Sequence, residues 1–206
     1  MTSIADPWRV LENPVIWEAS RIALDGAFGL YRKRVRVLED QGALASEASL
    51  LDVGCGIGQY ADAVSGRYVG IDLNERYIAY ARRRRGNARR SFRYADVSVL
   101  ADEQERFHTV LAVDLLHHLD DAAALTLLDQ TARLATDQVA IFEPVQEQRA
   151  KIGRWIVDHD RGAHMRTLAH LRQLIDGAPL WVAVDRELML GPITTRVLLC
   201  KPVSRA

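Results

Sequence analysis

Acids that close apolar runs, a glycine cluster and a histidine pair are the residues of this chain whose types and spacing could do chemistry. Asp52 lies near the end of the apolar run Ser49 to Val53, and Gly54, Gly56 and Gly58 follow at alternate positions. Glycines let a backbone approach a ligand closely and take positive φ, and the free N–H groups of a following helix start gather at the same place. Asp72 closes the next apolar run, 20 residues after Asp52. From there a carboxylate can accept two hydrogen bonds from the vicinal hydroxyls of a ribose. His117 and His118 follow a later apolar run, and an imidazole in such a place can take an acceptor's proton near neutral pH. His118 is the preferred candidate of the two. Glu143 ends another run before Pro144; it either faces a substrate in the crevice at the strands' carboxyl ends or serves as a capping or ion-paired acid. Arg161 and Arg166, within the charged stretch Asp158 to Thr167, could clamp a carboxylate or phosphate. Asp160 could equally pair with an arginine and merely fix the loop.

The glycine spacing argues against a dinucleotide. The position that needs the third glycine of that fingerprint holds Gln59, so the loop suits a cofactor without a pyrophosphate. Asp158, His159, Asp160 and His164 supply ligand types but no known zinc spacing, and no metal is expected. Cys55 and Cys200 have no framework spacing, which argues against a structural disulfide.

These residues need a scaffold of alternating elements. From Val15 to about Gln41 the apolar spacing is helical, with Gly26 and Gly29 dividing it in two. Strands are predicted over Ser49–Val53, Arg67–Leu73, Ser91–Val97, Phe107–Val113 and Gln138–Pro144. Helices are predicted between them: after Gly58 to about Val64, from an Asn74 cap to Arg85, and from Asp120 or Asp121 to about Ala135. Beyond Pro144, Gln146–Val157 and Thr167–Ile175 read as helices, and Trp181–Leu190 and Ile193–Lys201 as two antiparallel strands. The implied class is α/β: a Rossmann-like, seven-stranded mixed sheet with helices on both faces and a C-terminal antiparallel hairpin.

In order and interval, LLDVGCGIG, VGIDLNERYIAYARRR, YADV and VLAVDLLHHLDD resemble the class I S-adenosylmethionine-dependent methyltransferases, of the bacterial small-molecule type. The resemblance covers about Leu50 to Pro144 and implies S-adenosyl-L-methionine as cofactor. It implies that Asp52 with Gly54, Cys55, Gly56 and Gly58 holds the methionine portion and that Asp72 takes the ribose hydroxyls. Leu73 would flank the adenine, Asp96 would accept from its amino group beside Val97, and Val113 and Asp114 would line the methionine end. Trp8, Trp17, Tyr31 and Tyr60 could close over the ligands, Tyr60 directly after the loop, or serve as ordinary packing residues, the preferred reading for Trp17. Metal-dependent catechol-type relatives match poorly, because an Asp-Asn pair is wanted where Glu143-Pro144 stands. The sulfonium is already a potent methyl donor, so catalysis is largely alignment of donor and acceptor.

The whole chain is expected to form a single domain: an N-terminal helical cap over 1–45, a cofactor-binding core over 49–144, and an acceptor lid with C-terminal hairpin over 145–206. Its 206 residues, 49% hydrophobic and 26% charged, suffice for one core. No membrane span or basic-apolar leader is read, and the cytoplasm is the expected compartment. Twenty-seven Lys and Arg balance 27 Asp and Glu, which argues against a general affinity for nucleic acid. The expected partner is a small-molecule acceptor, methylated at oxygen or nitrogen, and the protein is read as a monomer or homodimer. Two alternatives stand. The arginines from Arg82 to Arg93 could serve an RNA or protein methyltransferase, or merely end a helix, and the chain could be a non-catalytic partner subunit.

Overall fold

The structure, a computed structural model, describes residues 13–45, 48–160 and 162–203. Seven strands form one sheet in the order β3-β2-β1-β4-β5-β7-β6. Strands β1 (Leu50–Val53), β2 (Tyr68–Asp72), β3 (Arg90–Tyr94), β4 (Phe107–Val113) and β5 (Ala135–Pro144) run parallel to one another. β6 (Leu180–Leu190) and β7 (Ile193–Pro202) form the antiparallel hairpin, and β7 inserts beside β5.

Helices cover both faces, so the central strands are apolar at consecutive positions and not only at alternate ones. Leu51, Val53, Val69, Ile71 and Val110 point into one core layer with Leu128, Leu171 and Ile175. Their neighbours Leu50, Tyr68 and Leu111 point into the other layer, with Val37, Leu38 and Ile78. The first layer belongs to α4 (Val97–Asp102), α5 (Asp121–Leu134) and α7 (Leu168–Asp176), the second to α2 (Leu30–Asp40) and α3 (Glu75–Arg85). α1 (Pro14–Phe28) buries none of its residues, and α6 (Lys151–Asp158) buries only Gly153 and Val157.

Local chemistry sets most boundaries. The side chains of Asn13, Asn74, Asp96, Asp120 and Thr167 each accept from a backbone N–H in the first turn of α1, α3, α4, α5 and α7. Gly29, with φ of 65°, ends α1 and starts α2. Gly26 lies inside α1, so one glycine divides the pair instead of two.

Other expectations are corrected. The residues after Gly58 form a five-residue 3-10 turn, Gln59–Ala63, and no α-helix. The predicted strand Ser91–Val97 is cut at Tyr94, because Asp96 caps α4. The helix expected from Gln146 begins only at Lys151, since Gln148 is buried and bonds to the backbone of Val145 and Thr194.

Candidate active site

The sheet changes direction between β1 and β4, and its carboxyl ends there open into a cavity of about 400 Å³. Asp52, Gly54, Cys55, Gly56, Tyr60, Asp72, Val113, Asp114, His117 and His118 all line it. The glycine loop is tightly built, with φ of +70°, +55° and +74° at Gly54, Gly56 and Gly58. A Cβ on Gly58 would lie 2.3 Å from the Phe92 ring, so this glycine serves loop packing and does not line the cavity.

Asp72 braces the loop by accepting from Gly56 N at 2.8 Å and Asn74 N at 2.7 Å. Burial raises its pKa, and the N–H donors of Asn74 and Gly56 oppose the rise. Asp52 is fully enclosed and accepts from the Tyr68 hydroxyl at 2.7 Å. Burial pushes its carboxyl up to about 7; the Tyr68 bond offsets part of that and the nearby Asp72 adds to it. A buried acid in this state is ready for a cation. Asp114 takes a left-handed φ of 50°, and its carboxylate receives both hydrogen bonds from Arg34 NH2, at 2.7 and 2.8 Å. Asp114 therefore lines the cavity while tying β4 to α2.

The other end of the cavity is where the sequence reading changes most. His117 is buried between two carboxylates, with Nδ1 against Glu143 and Nε2 3.3 Å from Asp160. Burial works against its charge, but the bonds to Asp160 and Glu143 outweigh burial and hold its pKa at about 10. Asp160 responds in kind: burial is overcome by His117 and the Gly162 N–H, and its pKa falls to about 2. The two carboxylates thus favour the imidazolium form of His117. His118 is exposed at the cavity wall, its ring centroid 4.2 Å from that of His117.

Glu143 is not among the residues that line the cavity. It is buried, and its oxygens accept from the backbone N–H groups of Leu115, Leu116 and His117 as well as from the His117 ring. Arg166 is buried as well, donating to the carbonyls of Leu116 and Leu119 and to Asp121. Asp160 pairs with a histidine where an arginine was expected. Together these residues stitch the segment after α6 onto the turn Leu116–His118. His164 N donates to His117 O at 3.0 Å, and a Cβ on Gly162 would meet the His117 ring at 2.1 Å. Arg161 and Trp8 lie outside the described residues.

Leu73, Asp96 and Val97 are not part of the wall. Leu73 is exposed, Asp96 caps α4 by accepting from Ser98 N at 2.9 Å, and Val97 packs in the core. His117, His118 and Asp160 each offer a ligand atom within 4.8 Å of the others. The trio joins two separate segments, so the spacing within residues 158–164 does not display it.

The arginine run is held internally. Arg82 donates to Phe92 O, Arg85 to Glu18, Asp62 and Ile57 O, Arg89 to Ser65 O, Arg90 to Asp62, and Arg93 to Glu103 and Glu105. Arg84 lies 3.9 Å from Glu18, and Arg83 sits over the Tyr80 ring.

Lining residues that sequence reasoning missed include Arg21 and Arg34 on the N-terminal helices and the apolar Leu30, Ile156, Val157, Met165, Leu190 and Ile193. Arg34 carried a readable signal, because it shares the 3.6-residue face of buried Val37 and Leu38.

Residues 50–138 match a family described as a methyltransferase domain. No curated protein matches the chain. Among solved structures, the magnesium protoporphyrin IX methyltransferase of Synechocystis PCC 6803 with bound SAM is 19% identical; the match covers 83% of this chain and 77% of that one, with a TM-score of 0.62. The cyclase SpnF is 16% identical over 84% and 81%, with a TM-score of 0.66. A chain from the Haloferax volcanii complex of the Trm112 methyltransferase activator is 15% identical over 97% and 100%, with a TM-score of 0.69. The seven-stranded topology and the matched domain agree: residues 50–138 match a methyltransferase domain, and the chain has the fold of these solved structures.

Proposed function

We propose that the chain transfers the methyl group of S-adenosylmethionine to an oxygen or nitrogen of a small, largely apolar molecule in the cytoplasm, such as a specialised metabolite or a lipid- or sugar-linked intermediate. The carrying observation is the continuity of one cavity from the acids and glycines of the donor end to an apolar acceptor end under α6. Asp52 would receive the donor's ammonium group, Asp72 its ribose hydroxyls, and the loop its methionine backbone. Leu30, Ile156, Val157, Met165 and Ile193 would enclose the acceptor, and His118 stands where it can take the acceptor's proton. Glu143 and Arg166 are reassigned to shaping the turn that presents His118.

The His117, His118 and Asp160 trio is read as an ion pair with a tilted neighbouring ring and not as a metal centre, because both ring nitrogens of His117 already face carboxylates. Chelator treatment is therefore expected to leave turnover unchanged. Labelled S-adenosylmethionine offered with a panel of phenols, hydroxylated lipids and amines tests the function. Transfer to at least one class, reduced about 10²-fold by His118→Ala with a smaller change in KM, is the expected result.

A second reading has its own observation. The Haloferax volcanii chain that matches 97% of this one comes from a complex with an activator, and α1 leaves Val15, Ile22, Leu24 and Phe28 exposed. Donor binding without transfer to any acceptor class would favour a partner-dependent protein.

A further inference from the structure

The helix α6 covers the cavity with one face and turns an apolar face outward. With about 3.6 residues per turn, Trp155 stands opposite Gly153 and Val157, the buried residues of that helix. Gly153 lies so close to the hairpin tip that a Cβ there would be 2.2 Å from the Pro192 carbonyl oxygen. Trp155 therefore points away from the hairpin, 59% exposed, and Ile152 beside it is 61% exposed. The exposed His159 ring stacks on Trp155 with centroids 4.7 Å apart and extends the outward row by a turn.

Cations flank this row. Lys151 and Arg154 are exposed, and among the described residues neither has an ion-pair partner. Across the hairpin tip, Phe28 of α1 packs on Gly191, and the exposed Lys33 of α2 donates to Met189 O at 3.1 Å. Nearby acids are mostly engaged, Asp25 with Arg32 and Glu187 with Arg149, while Asp158 at the far end of α6 is exposed. The rim is thus apolar at its apex and cationic at its flank. An outward tryptophan and isoleucine with lysine and arginine beside them suit a helix lying in a membrane interface, the ring at headgroup depth and the cations against anionic lipid.

We infer that α6 docks the protein on an anionic lipid surface, inserting Trp155 and Ile152 and setting Lys151 and Arg154 against the headgroups. Ile156 and Val157 of the same helix line the cavity, so a lipid-borne acceptor would pass from surface to cavity along one helix. That consequence for the acceptor rests on the function proposed above; the docking itself needs neither donor nor transfer.

Co-sedimentation of the full chain with vesicles, in the absence of donor, tests the docking. Vesicles of phosphatidylcholine alone are compared with vesicles of phosphatidylcholine and phosphatidylglycerol in equal parts. The anionic vesicles are expected to bind about 10-fold more tightly, with the difference lost at about 1 M salt. Trp155→Ala combined with Ile152→Ser should weaken binding to anionic vesicles about 10-fold or more. Lys151→Gln combined with Arg154→Gln should reduce it to the level of neutral vesicles. Trp181→Ala, which removes an exposed tryptophan from the start of β6, should leave binding within about twofold. Unchanged thermal melts and unchanged affinity for S-adenosylhomocysteine in every variant show that the fold and the donor site are intact. No binding of the unmodified chain to anionic vesicles, or an equal loss in Trp181→Ala, overturns the docking surface and leaves transfer to soluble acceptors standing. Self-association lost in Trp155→Ala, with no vesicle binding, overturns it in favour of a second copy of the chain. Vesicle binding without donor binding or transfer would instead remove the function proposed above and keep the docking.

Discussion

Asp52 carries the most direct residue-scale prediction. Its carboxyl, raised to about 7 by burial, is in part protonated at neutral pH, and a bound ammonium would favour the ionised form. Binding of S-adenosylhomocysteine should then release a proton, and affinity should rise with pH up to about 7 and level off above it. Calorimetry in buffers of different ionisation enthalpy reads the proton directly, and Asp52→Asn should abolish both effects. A flat pH profile with no proton release would remove Asp52 from the donor site. The acid and its glycine loop were readable in the sequence because a strand end and a positive-φ turn are local requirements. The fate of His117 was not readable: its second carboxylate comes from Asp160, 43 positions later in the chain, and only the folded lid brings the two together. Glu143 misled for a related reason. Its strand position was right, but the turn after β4 offers three backbone N–H groups that capture the carboxylate before a substrate can.

The segment after α6 and the turn Leu116–His118 are joined as one element. The His117 and Asp160 pair gives stability a defined pH window. A histidine raised from 6.5 to about 10 contributes fully below pH 6.5 and loses its contribution as pH rises toward 10. An aspartate lowered from 3.8 to about 2 contributes fully above pH 3.8 and loses it as pH falls toward 2. The joint contribution is therefore largest between those unfolded values, and Tm should decline from pH 7 to 10 more steeply in the unmodified protein than in Asp160→Asn. Parallel profiles would break the pairing. Arg166→Met should cost about 2 to 4 kcal/mol, because it leaves two carbonyls of the turn without donors, and denaturant titration checks this. Gly162→Ala should lower turnover by displacing the lid from His117, which its Cβ would strike. The Asp-Arg-Gly stretch and the paired histidines were each visible in the sequence as separate motifs, but their union required tertiary contact.

For the whole molecule, the sheet order and hairpin follow from features the sequence displays: strand-helix alternation, caps and a short final connection. What alternation cannot display is how charged helices divide between solvent and core. The arginines from Arg82 to Arg93 looked available, yet they are tied to acids and carbonyls of neighbouring elements. Turnover should consequently vary little between 50 and 200 mM salt, whereas RNA contact through about six arginines would reduce affinity by roughly 10³-fold over that range. Arg34 and Arg21, on the N-terminal helices, line the cavity. The likeness to a cyclase as well as to a methyltransferase leaves the donor site as the claim on which everything else stands. Calorimetric titration of the purified chain with S-adenosylhomocysteine tests it directly. One site per chain is expected, weakened about 10- to 100-fold in Asp72→Asn, which keeps the side chain's shape but removes the charge that would hold the ribose hydroxyls. No heat and no thermal shift with the folded protein would contradict the account.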